Sequence, residues 1–161
     1  MTTNSNTNSD TNSIERNILI QATRERVWRA LTTAEEFGTW FGINLKGETF
    51  AIGQRTRAMM DPAVCGHENF WFDIVVDRIE PQTLFSYRWH PYPADPSVDY
   101  SLEQPTLVTF TLKDAPDKSI LLTVVESGFD NVSAHRRLEA LRMHTGGWEA
   151  QLNNVAHYVS K

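Results

Sequence analysis

Apolar residues recur along this chain with two different periods, and the change from one to the other divides it into elements. Ile14 to Ile20 alternates, placing Ile14, Ile18 and Ile20 on one face, the mark of a half-buried strand. At Ala22-Thr23 the period switches: with Thr23 as N-cap, Val27, Trp28 and Leu31 follow at helical spacing. Thr33 reads as a second N-cap, and Glu36 three residues on makes a capping box for a short helix whose apolar side is Phe37, Trp40 and Phe41.

From Ile43 alternation returns. Ile43 to Phe50 and Gln54 to Met60 read as strands around a turn at Gly53. Asn69 to Ile79 sets Phe70, Phe72, Ile74 and Val76 against Trp71, Asp73, Val75 and Asp77, one dry face and one wetter. Thr83 to His90 follows, with Phe85, Tyr87 and Trp89 on one face, then Leu107 to Leu112 with Val108, Phe110 and Leu112. Ser119 to Ser127 is the last strand, with Leu122, Val124 and Glu126 sharing a face. The connection from Pro91 to Pro105, with four prolines and three acids, is long enough to expect a role, and we place it near the mouth of the fold.

The C-terminal segment is helical throughout. Leu138, Leu141, Thr145, Trp148, Leu152, Val155 and Val159 recur at steps of three and four, one apolar stripe on a helix from Ala134 to Ser160. Gly146-Gly147 lowers its helix propensity by about 1 kcal/mol per glycine, which suggests a close approach to the sheet or a bend. Consecutive strands joined by short turns pair antiparallel, and a curved sheet needs its concave face covered. The pattern therefore predicts an α+β helix-grip fold: a curved six- to seven-stranded antiparallel sheet around a long C-terminal helix, with two short helices after the first strand.

Composition narrows the picture. The 161 residues suit one domain. Residues 1–13 (MTTNSNTNSDTNS) are too polar to bury anything and read as a disordered tail, leaving 14–161 as the domain. That tail has neither the basic start nor the apolar run of a signal peptide, and no stretch reaches the ~18 apolar residues of a membrane span. The lone Cys65 forbids an internal disulfide and fits a reducing compartment, so a cytoplasmic location is expected. A net charge of −5 argues against nucleic acid or an anionic membrane as partner.

The order of elements and their local wording resemble the START/Bet v 1-like (SRPBCC) superfamily and, within it, the family built on the C-terminal domain of the Hsp90-ATPase activator. The resemblance spans roughly residues 14 to 160. It is carried by Ala22-Thr23-Arg24-Glu25-Arg26-Val27-Trp28, by Thr39-Trp40-Phe41, by Glu126-Ser127-Gly128-Phe129, and by Gly147-Trp148 with Leu152. It implies a pocket for an apolar molecule between sheet and C-terminal helix. It also implies an Hsp90-type chaperone as an alternative partner, although 161 residues leave no room for the activator's separate chaperone-binding domain.

Candidate chemistry is sparse. No nucleophile elbow, phosphate-binding loop or paired-cysteine zinc site appears, and His67-Glu68 is not the start of a zinc-protease motif; no cofactor or metal is expected. Glu126 stands out because its parity points a carboxylate at the concave face, where it must be paired, hydrogen-bonded or open to a cavity. Desolvation would raise its pKa and make it a candidate acid or base; Arg57 or Arg88 could instead pair with it. On the sheet, Phe70, Phe72, Ile74, Tyr87, Trp89, Phe110, Leu122 and Val124 are candidate lining residues, and on the helix His144, Trp148 and Leu152, with His144 and Trp148 on one face by i,i+4 spacing. Three functions compete: a carrier for a small apolar molecule, an enzyme on a lipophilic substrate (cyclase, dehydratase or hydrolase type) using Glu126 with a His or Tyr, and a chaperone-associated interaction module. The first ranks highest, with catalysis less favoured than binding.

Overall fold

The computed structural model describes residues 12–60, 71–91 and 97–160. Strand β1 (Ser13–Ile20) leads into helix α1 (Arg24–Thr32) and helix α2 (Ala34–Phe41). Five strands follow: β2 (Arg55–Met59), β3 (Trp71–Glu80), β4 (Leu84–Trp89), β5 (Thr106–Ala115) and β6 (Ser119–Ser127). The chain ends in helix α3 (Ala134–Val159). The strands form one antiparallel sheet in the order β1-β6-β5-β4-β3-β2, so β1 closes onto the last strand and only that pairing is non-local. This is the expected α+β helix-grip architecture, with six strands.

The start of the domain follows its local chemistry. Thr23 is extended and its hydroxyl accepts from the Arg26 amide at 3.1 Å, capping α1. Thr33 sits between α1 and α2, but its side chain caps nothing. The capping box does not form because Glu36 is held elsewhere: Arg26 donates to it at 2.7 Å, Arg29 at 3.1 Å and the Tyr158 hydroxyl at 3.1 Å. The carboxylate thus ties both short helices to the end of α3. Helix α2 stops at Gly42, which takes φ 104° as left-handed caps require.

The expected strand at Ile43 to Phe50 is absent. Ile43 returns its amide to the Gly38 carbonyl, and Glu48 turns back onto Leu45, so the segment wraps around the end of α2, burying Ile43 and Leu45 and stacking the half-buried Phe50 on Phe85. Gly38 is needed for this wrap: a Cβ there would stand 2.5 Å from the Ile43 carbonyl oxygen.

Strand parity agrees with the sequence pattern on every long strand. Phe72, Ile74 and Val76, Phe85 and Tyr87, Val108, Phe110 and Leu112, and Leu122 and Val124 are buried on the concave face. A bulge between Val76 and Arg78 leaves Asp77 unpaired in the β3–β4 ladder, where it accepts from the Ser86 hydroxyl.

Helix α3 spans the concave face, but its buried stripe is not the one expected at its N-terminal half. Ala140, Trp148, Leu152, Val155 and Val159 are buried, whereas Leu138 is 71% exposed. The half that crosses the sheet at β6 presents a small residue and a half-buried histidine, His144, because a carboxylate lies beneath it. The connection before β5 is pinned to the first turns of α3 by Arg136, which donates to Glu103 at 2.6 Å and to the Pro91 carbonyl at 2.7 Å and lies over the Tyr100 ring. Cys65, His67-Glu68 and Phe70 fall outside the described residues, as do residues 1–11 of the polar tail.

Candidate functional site

Glu126 is wholly enclosed, and both its oxygens are saturated with donors. Its position follows from register: it pairs with Val108 on β5 and Ile14 on β1, and the Trp89–Thr106 rung lies two residues further along, on the same face. On Oε2 the Trp89 indole donates at 2.8 Å and the Thr106 hydroxyl at 2.6 Å. On Oε1 His144 Nδ1 donates at 2.6 Å and the Trp148 indole at 2.9 Å. Two strands and one helix therefore converge on one carboxylate, and His144 and Trp148 reach it together because they stand one turn apart on α3.

Neither arginine expected as a partner comes near. Arg57 pairs with Asp73 at 3.4 Å and lies over the Trp71 ring, and Arg88 faces Asp77 at 3.6 Å. The expected rise in the Glu126 pKa is also overturned. Burial pushes the carboxyl up, but the His144 charge and the hydrogen bonds from His144, Thr106 and Trp89 outweigh it and hold the group below the ordinary carboxylate value. Glu126 is therefore an ionised acceptor at neutral pH and cannot serve as a general acid there. What it can do is orient: an ionised carboxylate on Nδ1 fixes the His144 tautomer with its proton on that nitrogen.

Around this polar knot the aromatic rings pack on one another. Trp89 stacks on Trp148 with centroids 5.8 Å apart, and Phe110 meets Trp148 edge-on at 5.7 Å. Phe72 contacts Trp89 and Tyr87, while Phe41 of α2 bridges Phe72, Trp89 and Trp148. Ile74, Leu122, Val124 and Leu152 complete the buried wall. Tyr87 lies at the centre of the cluster, and its hydroxyl is buried with no hydrogen-bond partner among the described residues. Burial, with Glu126 nearby, pushes this phenol well above its ordinary pKa, so it stays protonated.

Open space lies at the edge of the cluster. A groove of about 600 Å³ runs between the end of α2 and the end of β2, lined by Gly38, Thr39, Gly42, Ile43, Met59 and Met60. Along α3, a Cβ at Gly146 or Gly147 would meet nothing within 4 Å, so this glycine pair does not serve a close approach to the sheet. Gly147 shares a helical face with His144 and with Gln151, whose amide donates to the Phe41 carbonyl at 3.0 Å.

The sequence pointed to Glu126, His144, Trp148, Trp89 and Tyr87, and the structure brings these five together; Phe70 cannot be placed. Thr106 and Phe41 were missed as site residues. Thr106 was legible by parity, two residues before Val108 on the same strand face. Phe41 had been assigned to the apolar side of its helix, and nothing in the sequence signalled that it reaches across to α3. Among the described residues no group of three or more His, Cys, Asp or Glu side chains converges to hold a metal ion, and no helix is long and apolar enough to cross a membrane.

Comparison with known proteins agrees with this architecture. A protein from Mesorhizobium loti is 23% identical with a TM-score of 0.69, covering 92% of this chain and 96% of its own. A protein from Chromobacterium violaceum is 17% identical with a TM-score of 0.68, covering 93% and 98%. The Aha1 dimer from Colwellia psychrerythraea is 16% identical per chain with a TM-score of 0.62, covering 88% and 90%. At these identities the likeness speaks for the fold alone. No curated protein matches the sequence. The family model described as "Activator of Hsp90 ATPase homolog 1-like protein" matches residues 21–160, and the chain belongs to that family.

Proposed function

We propose that this protein binds a small apolar molecule, held against the aromatic cluster between sheet and α3 and entered from the groove beside α2. The observation that carries the reading is that groove: about 600 Å³ of largely apolar space, the size of a small-molecule site, beside Gly42, the residue that follows Phe41, whose ring packs on Trp148. The unpartnered Tyr87 hydroxyl supports it, since a buried donor without an acceptor costs about 1–3 kcal/mol and a ligand oxygen would satisfy it. In this reading Phe72, Tyr87, Trp89, Phe110 and Trp148 supply contact area, while Glu126 and its donors fix the two indoles in place.

Titration with the neutral fluorophore N-phenyl-1-naphthylamine tests it. Saturable binding at one site per chain is expected, with blue-shifted emission, and Met60→Asp should weaken it without altering the far-UV circular dichroism. Absence of saturable binding contradicts the reading. Family membership favours one second reading, association with an Hsp90-type chaperone; that reading requires a changed chaperone ATPase rate on adding the purified protein, and an unchanged rate at saturating concentration ends it.

A further inference from the structure

The sheet ends at β2, and the outer side of that strand carries free backbone groups. Val76 donates its amide to the Gln54 carbonyl at 3.1 Å, which sets the alternation of the β2–β3 ladder. Thr56 and Ala58 turn their amides and carbonyls toward β3, and Arg55, Arg57 and Met59 turn theirs away from it. Among the described residues no backbone group meets these outward ones. An edge of this kind is a template for a further strand.

The side chains say which strand. Arg55, Arg57 and Met59 stand in a row on the convex face, with 62% and 48% of the two arginine side chains exposed. Arg55 takes both oxygens of Asp73, at 2.8 and 2.6 Å. Arg57 is left with a 3.4 Å contact to one of them and a seat over the Trp71 ring at 4.2 Å. On β4, Arg88 lies 3.6 Å from Asp77, which already accepts from the Ser86 hydroxyl, and further along β3 Arg78 and Glu80 pair with each other. Three guanidinium groups thus face two carboxylates at this edge, a local positive excess on a chain whose net charge is −5. Beside it Met59 and Trp71 pair across the ladder, and both are exposed.

A second copy of this chain is disfavoured as the added strand. Two β2 strands paired antiparallel about Arg57 would set Arg57 against Arg57, and a centre at Thr56 would set Arg55 against Arg57. Like charges directly opposite destabilise a ladder, whereas opposite charges there strengthen it.

We propose that β2 accepts an extended acidic segment of another protein as a seventh strand. The segment carries carboxylates at two alternate positions, opposite Arg55 and Arg57, and an apolar residue at the next, against Met59 and Trp71. The outward amides and carbonyls supply the affinity, and the row of side chains supplies the selection. The proposal does not depend on a ligand in the groove.

The probe is the fluorescein-labelled peptide Thr-Leu-Thr-Glu-Thr-Glu-Thr, whose order suits antiparallel addition, titrated by fluorescence anisotropy at low salt beside its counterpart with Lys in place of both Glu. The wild-type protein should bind the Glu peptide about tenfold more tightly than the Lys peptide, and the affinity should fall as salt is added. Hydrogen exchange should slow at the Arg55, Arg57 and Met59 amides when the Glu peptide is bound. Arg57→Glu, with its fold checked by far-UV circular dichroism, should reverse the preference. Equal affinities, no binding, or binding that leaves the three amides unprotected overturns the proposal, and this wild-type comparison decides it even if the variant does not fold. A preference for the Glu peptide that survives in folded Arg57→Glu also overturns it. A concentration-dependent dimer that protects the same amides without peptide overturns it in favour of a second copy of this chain.

Discussion

Replacing Glu126 by Gln changes a buried charge and little else, so its effect can be worked from four hydrogen bonds. Gln keeps one acceptor oxygen and puts an amino group where the other oxygen stood. If the amino group replaces Oε2, the Thr106 hydroxyl can rotate to accept, but the Trp89 indole has nothing to donate to. If it replaces Oε1, His144 can change tautomer and accept, but the Trp148 indole is orphaned. One stranded buried N–H costs about 1–3 kcal/mol, and exchanging charge-assisted for neutral hydrogen bonds costs about 1 kcal/mol more. Relief of the desolvated charge returns part of this. We expect Glu126→Gln to lower stability by about 2–4 kcal/mol at pH 7, read as a shift of the urea midpoint at unchanged slope. The sign with pH follows from the depressed pKa: the stabilisation is full above the unfolded value near 4.5 and is lost as pH falls through the folded value. The gap between wild type and variant should therefore narrow on acidification. A variant as stable as wild type, or a gap independent of pH, would show that the four donors do not hold an ionised carboxylate.

Further outcomes follow from single contacts. Tyr87→Phe removes an unpartnered buried hydroxyl and should raise the stability of ligand-free protein by about 1 kcal/mol; a loss would show that the hydroxyl has a partner. Gly147→Ala should raise the melting temperature, by about 1 kcal/mol of stability, because its Cβ meets nothing, whereas Gly38→Ala should lower it because its Cβ would press on the Ile43 carbonyl. Burial would raise the Glu103 carboxyl, but the Arg136 and Ser133 hydrogen bonds outweigh it and bring its pKa from 4.5 down to about 2. That pair stabilises fully above pH 4.5 and loses roughly 3 kcal/mol on descending toward pH 2, so Glu103→Gln should flatten this part of the acid unfolding profile; an unaltered profile contradicts the pairing.

The fold was legible because its signals are periodic. Alternation on β3 to β6 fixed which side chains face inward, and the spacing of Trp148, Leu152, Val155 and Val159 fixed the face of α3. The errors lie where a side chain answers to a distant partner. Glu36 looked like half of a capping box but is claimed by Arg26, Arg29 and Tyr158, the last 122 residues away. Ile43 to Phe50 has strand-like composition, yet the close fit at Gly38 makes it a wrap. Leu138 seemed to begin the apolar stripe but is 71% exposed; Ala140 is the buried residue there, and His144, one turn further on, answers to the Glu126 carboxylate. The site was half visible: parity aimed Glu126 inward and helical spacing joined His144 to Trp148. Two strands and a helix meeting on one carboxylate, with net stabilisation of its charge, needed the register of β4, β5 and β6 and the seating of α3.

The central claim is that this grip holds a small apolar molecule, and the most direct test compares the native mass of protein purified from its own host with its denatured mass. The account predicts a reproducible extra mass in the native protein, lost on denaturation, belonging to an apolar compound. A native mass equal to that of the bare chain, together with no saturable uptake of apolar probes, would contradict it.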